Sequence, residues 1–176
     1  MVRPNPQQFV FIENYVEIYL KIPGQEEKAL EILERIMIHP DAKVDHHLQY
    51  YWILVDKKSF AKAYEKGKSF SEELKDSNNL WPSLASVSFE SKLYEESLAI
   101  WQRILKADQN NVEARENCFN ILLILKRNEE SITELFWLLK RFPNNQLYIH
   151  YALDYYVKQK DYESMFKWAS KGMKAD

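Results

Sequence analysis

The side chains here with the most chemical potential are three neighbours, Asp45, His46 and His47, and a single cysteine, Cys118. A carboxylate beside two imidazoles suggests a divalent-metal site. Helical geometry argues against it. Consecutive residues diverge by about 100°, so His46 and His47 aim at different surroundings, whereas a chelating pair sits at i and i+4. Asp45 is better explained as a cap or first-turn acid at a helix start. His39 and His150 stand alone. Cys118 lies in an apolar helical stretch with no base to activate it, and reads as a small core residue. Phosphate loops, nucleophile elbows and paired-cysteine motifs do not occur in the sequence. The expectation is therefore no enzyme: no catalytic residue, no metal and no cofactor.

Other residues suit binding. Tyr50, Tyr51 and Trp52 are consecutive, and three aromatics about 100° apart cannot all face one core. The bulk numbers say which elements must carry them. The chain has 176 residues, with 46% hydrophobic and 28% charged, so a sizeable core is affordable and disorder is excluded. Three glycines and six prolines are too few for the turns of an all-β domain. The net charge of −2 lacks the basic excess of a phosphate-backbone binder. Lys57, Lys58, Lys62, Lys66 and Lys68 are interleaved with Asp56, Glu65 and Glu72, which describes a solvated outer face. No apolar run reaches the roughly 18 residues of a membrane span, and the start shows no signal core. A cytoplasmic protein without membrane contact is the expectation.

Self-comparison at fixed offsets gives the architecture. Residues 78–111 align with 112–145; both segments end in Asn-Asn, and Tyr94-Glu95-Glu96-Ser97 matches Asn128-Glu129-Glu130-Ser131. A small residue recurs every 34 positions at Ala29, Ala63, Ser97 and Ser131, broken by Met165, where two antiparallel helices must approach closely. Its neighbour recurs as Leu30, Tyr64, Leu98, Ile132 and Phe166. The first helices carry one stripe: Val16 and Leu20, Tyr50 and Leu54, Leu84, Cys118 and Leu122, then Ala152 and Tyr156. Pro23-Gly24, Pro40 and Pro143 end helices, while Pro82 fits a first turn after a cap at Asn78 or Asn79, with a longer loop around 76–79. The expected organisation is an extended lead, 1–8, then a single array over 9–176 in units 10–43, 44–77, 78–111, 112–145 and 146–176.

This 34-residue pattern resembles the tetratricopeptide repeat family from about Phe9 onward. The best unit offers Trp81, Leu84, Ala85, Ser97, Trp101 and Ile104; its neighbour offers Cys118, Ser131, Leu135, Leu138 and Pro143. Ser88, Gly67, Ala169 and Gly172 depart from the family pattern. The resemblance implies an all-α fold of about ten helices, a right-handed α-solenoid of antiparallel pairs whose first helices line a concave groove. The physical reason is independent of the name: one pair cannot hide its apolar face alone.

In that register the partner-binding groove comprises Tyr15, Ile18, Leu48, Gln49, Trp52, Asp56, Ser86, Phe89, Glu90, Glu116, Asn117, Asn120, His150, Tyr151 and Asp154. Adding Asp45 and Glu113, and Lys21 and Lys158, six acids stand against two lysines, a net of −4. An acidic, aromatic groove suits a neutral or basic peptide or helix of another protein and repels nucleic-acid phosphates. The family's chaperone-tail clamp needs cations where this chain has Asn14, Ile18, Gln49, Asn79 and Ser83, so that use is rejected. Two alternatives remain. Trp81, Phe89-Glu90 and Trp101-Gln102-Arg103 faintly resemble the half-a-tetratricopeptide repeats of RNA-processing complexes. The last helix pair should turn Ala169, Gly172 and Met173 to solvent near Phe166 and Trp168, marking either a cut array or an edge for a homodimer or further domain.

Overall fold

A computed structural model describes residues 6–172, the side chains of residues 6–11 and 171 excepted, and every regular element among them is helical. Contacts divide the chain into two compact units, Met1–Ser71 and Glu72–Asp176. The first holds α1 (Pro6–Leu20), α2 (Glu26–Met37), α3 (Val44–Asp56) and α4 (Phe60–Lys68). The second holds α5 (Glu72–Ser77), α6 (Trp81–Glu90), α7 (Tyr94–Ala107), α8 (Val112–Ile124), α9 (Asn128–Arg141), α10 (Gln146–Gln159) and α11 (Tyr162–Gly172). Within each unit sequential helices pack in pairs and pairs stack on pairs, the architecture of an α-solenoid.

The recurring small residue does what close helix approach requires. Ala29, Ala63, Ser97 and Ser131 are all fully buried. At Ser97 the hydroxyl, left with no water, donates to the Ala85 carbonyl of α6 at 2.8 Å. Around these contacts the pairs share cores. Trp101 and Leu105 of α7 pack with Ala85 of α6 and with Cys118, Ile121 and Leu122 of α8. Leu135, Leu138 and Leu139 of α9 pack with Phe119 of α8 and with Tyr148, Ile149 and Ala152 of α10.

The turn inside each pair repeats as strictly. Gly24, Lys58, Lys92, Lys126 and Lys160 all have positive φ, and each lies 34 residues after the last. Past four of them the next amide reaches back to a first-helix carbonyl: Ser59 to Leu54, Leu93 to Ser88, Arg127 to Leu122 and Asp161 to Tyr156. This is the Schellman closure of a helix end, which needs one left-handed residue. Lysine adopts that conformation at a cost of about 1–2 kcal/mol, and glycine at almost none.

The structure revises several boundaries. Helix α1 already runs at Pro6, inside the lead drawn through residue 8. Residues 72–77, assigned to a second helix and its loop, form the extra helix α5. The cause is local: α4 stops at Lys68, and the Ser69 hydroxyl caps the Lys66 carbonyl at 2.6 Å. Phe70 then turns inward onto Tyr51, its ring 5.8 Å away, before two first-turn acids restart the helix. Asn79 ends α5 in the left-handed conformation; Pro82 does sit in the first turn of α6, behind Leu80 as cap. The Asn-Asn pairs serve later: Asn111 and Asn145 cap α8 and α10 with side-chain oxygens. Trp81 anchors α5 by donating to Asp76 at 2.6 Å, with Arg103 stacked 4.1 Å from its ring.

A Cβ added at Gly24 meets nothing within 4 Å, so its φ of +80° is the whole constraint. Gly24→Ala is therefore expected to lower stability by roughly 1 kcal/mol through backbone strain alone, checked as a lower urea midpoint with helical circular dichroism intact.

Candidate functional site

Each unit presents its first-helix face separately. In the first unit, Tyr15 and Ile18 of α1 are half exposed, as is Trp52 of α3 at 41%, while Leu48 and Gln49 are half-buried and Asp56 is open. The three consecutive aromatics do diverge, though not as expected. Tyr51, rather than Tyr50, is the fully buried member; Tyr50 lies half-buried and donates to Glu34 at 2.6 Å. Burial and that carboxylate push the Tyr50 phenol up to about 12. Trp52 stands edge-on to Tyr51 with centroids 5.0 Å apart, leaving its outer surface to solvent.

Beside Trp52 lies a cleft of about 500 Å³ lined by Leu20, Glu26, Gln49, Trp52, Ile53, Asp56 and Lys57. Three of these are expected groove residues. Leu20 belongs to the core stripe of the sequence pattern and Glu26 is a first-turn acid of α2; neither pattern signals a cleft wall. Its own backbone N–H and then the Gly24 amide hold the Glu26 carboxyl below the usual range, so it stays ionised. Lys57 is drawn off to Glu27 at 3.1 Å.

In the second unit the expected residues are more committed. Ser86 and Glu90 of α6, Asn120 of α8, and His150 and Asp154 of α10 are exposed. His150 and Asp154 face each other at 3.7 Å. Phe89 packs on Tyr94, and Tyr151 packs edge-on against Phe119 at 5.1 Å. Asn117 donates back to the Glu113 carbonyl of its own helix. Glu116 accepts a short hydrogen bond from the Tyr148 hydroxyl of α10, whose pKa rises to about 12 through burial and this carboxylate. It is a tie between α8 and α10, and nothing in the sequence marks Tyr148 as its partner.

The histidine pair separates. His46 is buried, accepts the Lys43 amide on Nδ1 at 3.0 Å, and meets Glu13 of α1 through Nε2 at 2.8 Å. Lys43 and His46 hold the Glu13 carboxyl low. His47 takes Lys66 of α4 at Nδ1, 2.6 Å away. Among the described residues no three histidine, cysteine, aspartate or glutamate side chains gather to hold a metal. Burial pushes the Cys118 thiol up to about 12, too high for a thiolate at neutral pH. No described helix is long and apolar enough to cross a membrane.

At the C-terminal edge, Ala169 and Gly172 are half-buried rather than open. The Gly172 carbonyl accepts from Gln146 at 3.0 Å, so α11 lies back on α10. Met173 lies outside the described residues. The exposed apolar groups are instead Tyr162 and Phe166, the latter at 66%.

His47 carries a pH signature. Desolvation first, then the charges of Lys66 and His46, keep its imidazole below the ordinary 6.5. The unfolded chain therefore takes the proton first on acidification, and stability falls as pH drops through that range. Melting temperature is expected to fall between pH 7 and pH 5.5, where Glu13 stays ionised, and His47→Gln should flatten that slope.

No family model and no curated protein sequence matches the chain. Solved structures do. MamA AMB-1 is 18% identical with a TM-score of 0.63, covering 97% of this chain and 92% of that one. YrrB, described as a TPR protein with an unusual peptide-binding site, is 14% identical with a TM-score of 0.62, covering 94% and 84%. MamA 41-end from Desulfovibrio magneticus RS-1 is 15% identical with a TM-score of 0.60, covering 95% and 94%. At these identities the likeness establishes the fold, which is of the tetratricopeptide type along nearly the whole chain.

Proposed function

We propose that this chain is a protein-interaction module that uses its first-helix faces to hold a peptide or helix of a partner protein, without catalysis. The observation that carries the reading is Trp52: a large aromatic, 41% exposed, standing over a cleft instead of entering the core. An exposed aromatic surface is costly to leave in water and forms the kind of anchor that concentrates binding energy. The acids Glu26 and Asp56 favour a neutral or basic partner. A peptide-binding protein among the structures of the same fold supports the reading.

Trp52→Ala should abolish capture of the partner from native extract, while helical circular dichroism stays unchanged. Undiminished capture by the folded variant would overturn the assignment to this face. In the second unit Asn120 and Asp154 are better probes than Glu116, whose replacement also cuts the tie to Tyr148.

A second reading, self-association through the last helix pair, is favoured by Phe166. Of its 34-residue equivalents, Leu98 is buried and Ile132 half-buried against the following pair, whereas Phe166 and Tyr162 lie open. Sedimentation velocity across a concentration series should then show a dimer weakened by Phe166→Asp; a strict monomer at high concentration removes this reading.

A further inference from the structure

The chain fills two other tryptophan faces in one consistent way. Arg103 lies 4.1 Å from the Trp81 ring centroid and is held by Glu72 at 2.7 Å and Asp76 at 3.9 Å. Arg115 lies 5.0 Å from the Trp137 ring and is held by Glu134 at 2.7 Å. In both cases a guanidinium covers an indole while a carboxylate fixes its position. Trp52 also has a carboxylate in its cleft wall, Asp56, one helical turn further along α3, and no described cation covers its ring.

Asp56 is poorly explained by the fold itself. It is the last residue of α3, at the negative end of the helix dipole, where an acid is disfavoured. Its carboxylate enters no ion pair or hydrogen bond among the described residues. The one lysine in the cleft wall, Lys57, is engaged by Glu27.

We propose that the cleft beside Trp52 is a pocket for one arginine side chain of a partner segment. This rests on the protein-binding reading above and names the anchor that the face selects. The alkyl stem would lie on Leu20 and Ile53, the guanidinium on the indole of Trp52, and its N–H groups would donate to Asp56, with Glu26 adding negative potential. An aliphatic anchor would strip water from Asp56 and Gln49 and return no hydrogen bond. An acidic anchor meets two carboxylates.

Random peptides displayed on phage and selected on the folded protein provide the test. Peptides whose binding is lost with Trp52→Ala should share an arginine. Replacing that arginine by citrulline, which keeps shape and loses charge, should weaken binding about tenfold. Asp56→Asn should weaken the arginine peptide by a similar factor and the citrulline peptide hardly at all. Since Asp56 opposes the helix dipole, that variant should melt no lower than the parent, which separates lost binding from lost folding. Trp52-dependent peptides without arginine, or citrulline forms that bind equally well, overturn the pocket and leave the binding face standing. Selected peptides indifferent to Trp52→Ala overturn both.

Discussion

The close approach of two antiparallel helices at one small side chain is the constraint on which the rest of this molecule depends. Ala29, Ala63, Ser97 and Ser131 let second helices lie against first helices with no gap to fill. Neither helix could hide its apolar stripe alone, so each pair passes an open face to the next, as α7 does to α8 and α9 to α10. The turn that brings the helices together is equally fixed. Its left-handed residue falls at one position in every repeat, and four lysines accept the strain there.

The irregular stretch follows from the same rules applied to different residues. Where a longer second helix would have continued, the Ser69 hydroxyl competes for a backbone carbonyl and Phe70 finds a better place against Tyr51. The chain restarts as α5, which Trp81 and Arg103 then tie to the second unit. The division between the two compact units falls at this break.

The faces left over differ in what they can offer. In the second unit, aromatic and acidic side chains are largely spent on holding helices together: Tyr148 with Glu116, Tyr151 with Phe119, Arg115 with Glu134 and Trp137. On α3, Trp52 meets Tyr51 of its own helix and keeps its outer surface open, and Asp56 enters no ion pair or hydrogen bond among the described residues. Polar groups already paired inside the fold have little to give a ligand, whereas an exposed indole and an unpaired carboxylate gain by meeting one.

Much of this was legible in the residues. The 34-residue period, the buried small positions, the core placement of Cys118 and the divergence of His46 from His47 all follow from periodicities of one helix and its repeat, which a linear sequence records. The exchange of Tyr50 for Tyr51 in the core, the pairing of Glu116 with Tyr148, the helix at 72–77 and the cleft walls Leu20 and Glu26 were decided by tertiary packing. They depend on which side chains from distant positions compete for the same space, and a one-dimensional pattern holds the period of a helix face but not the depth at which a neighbouring helix meets it.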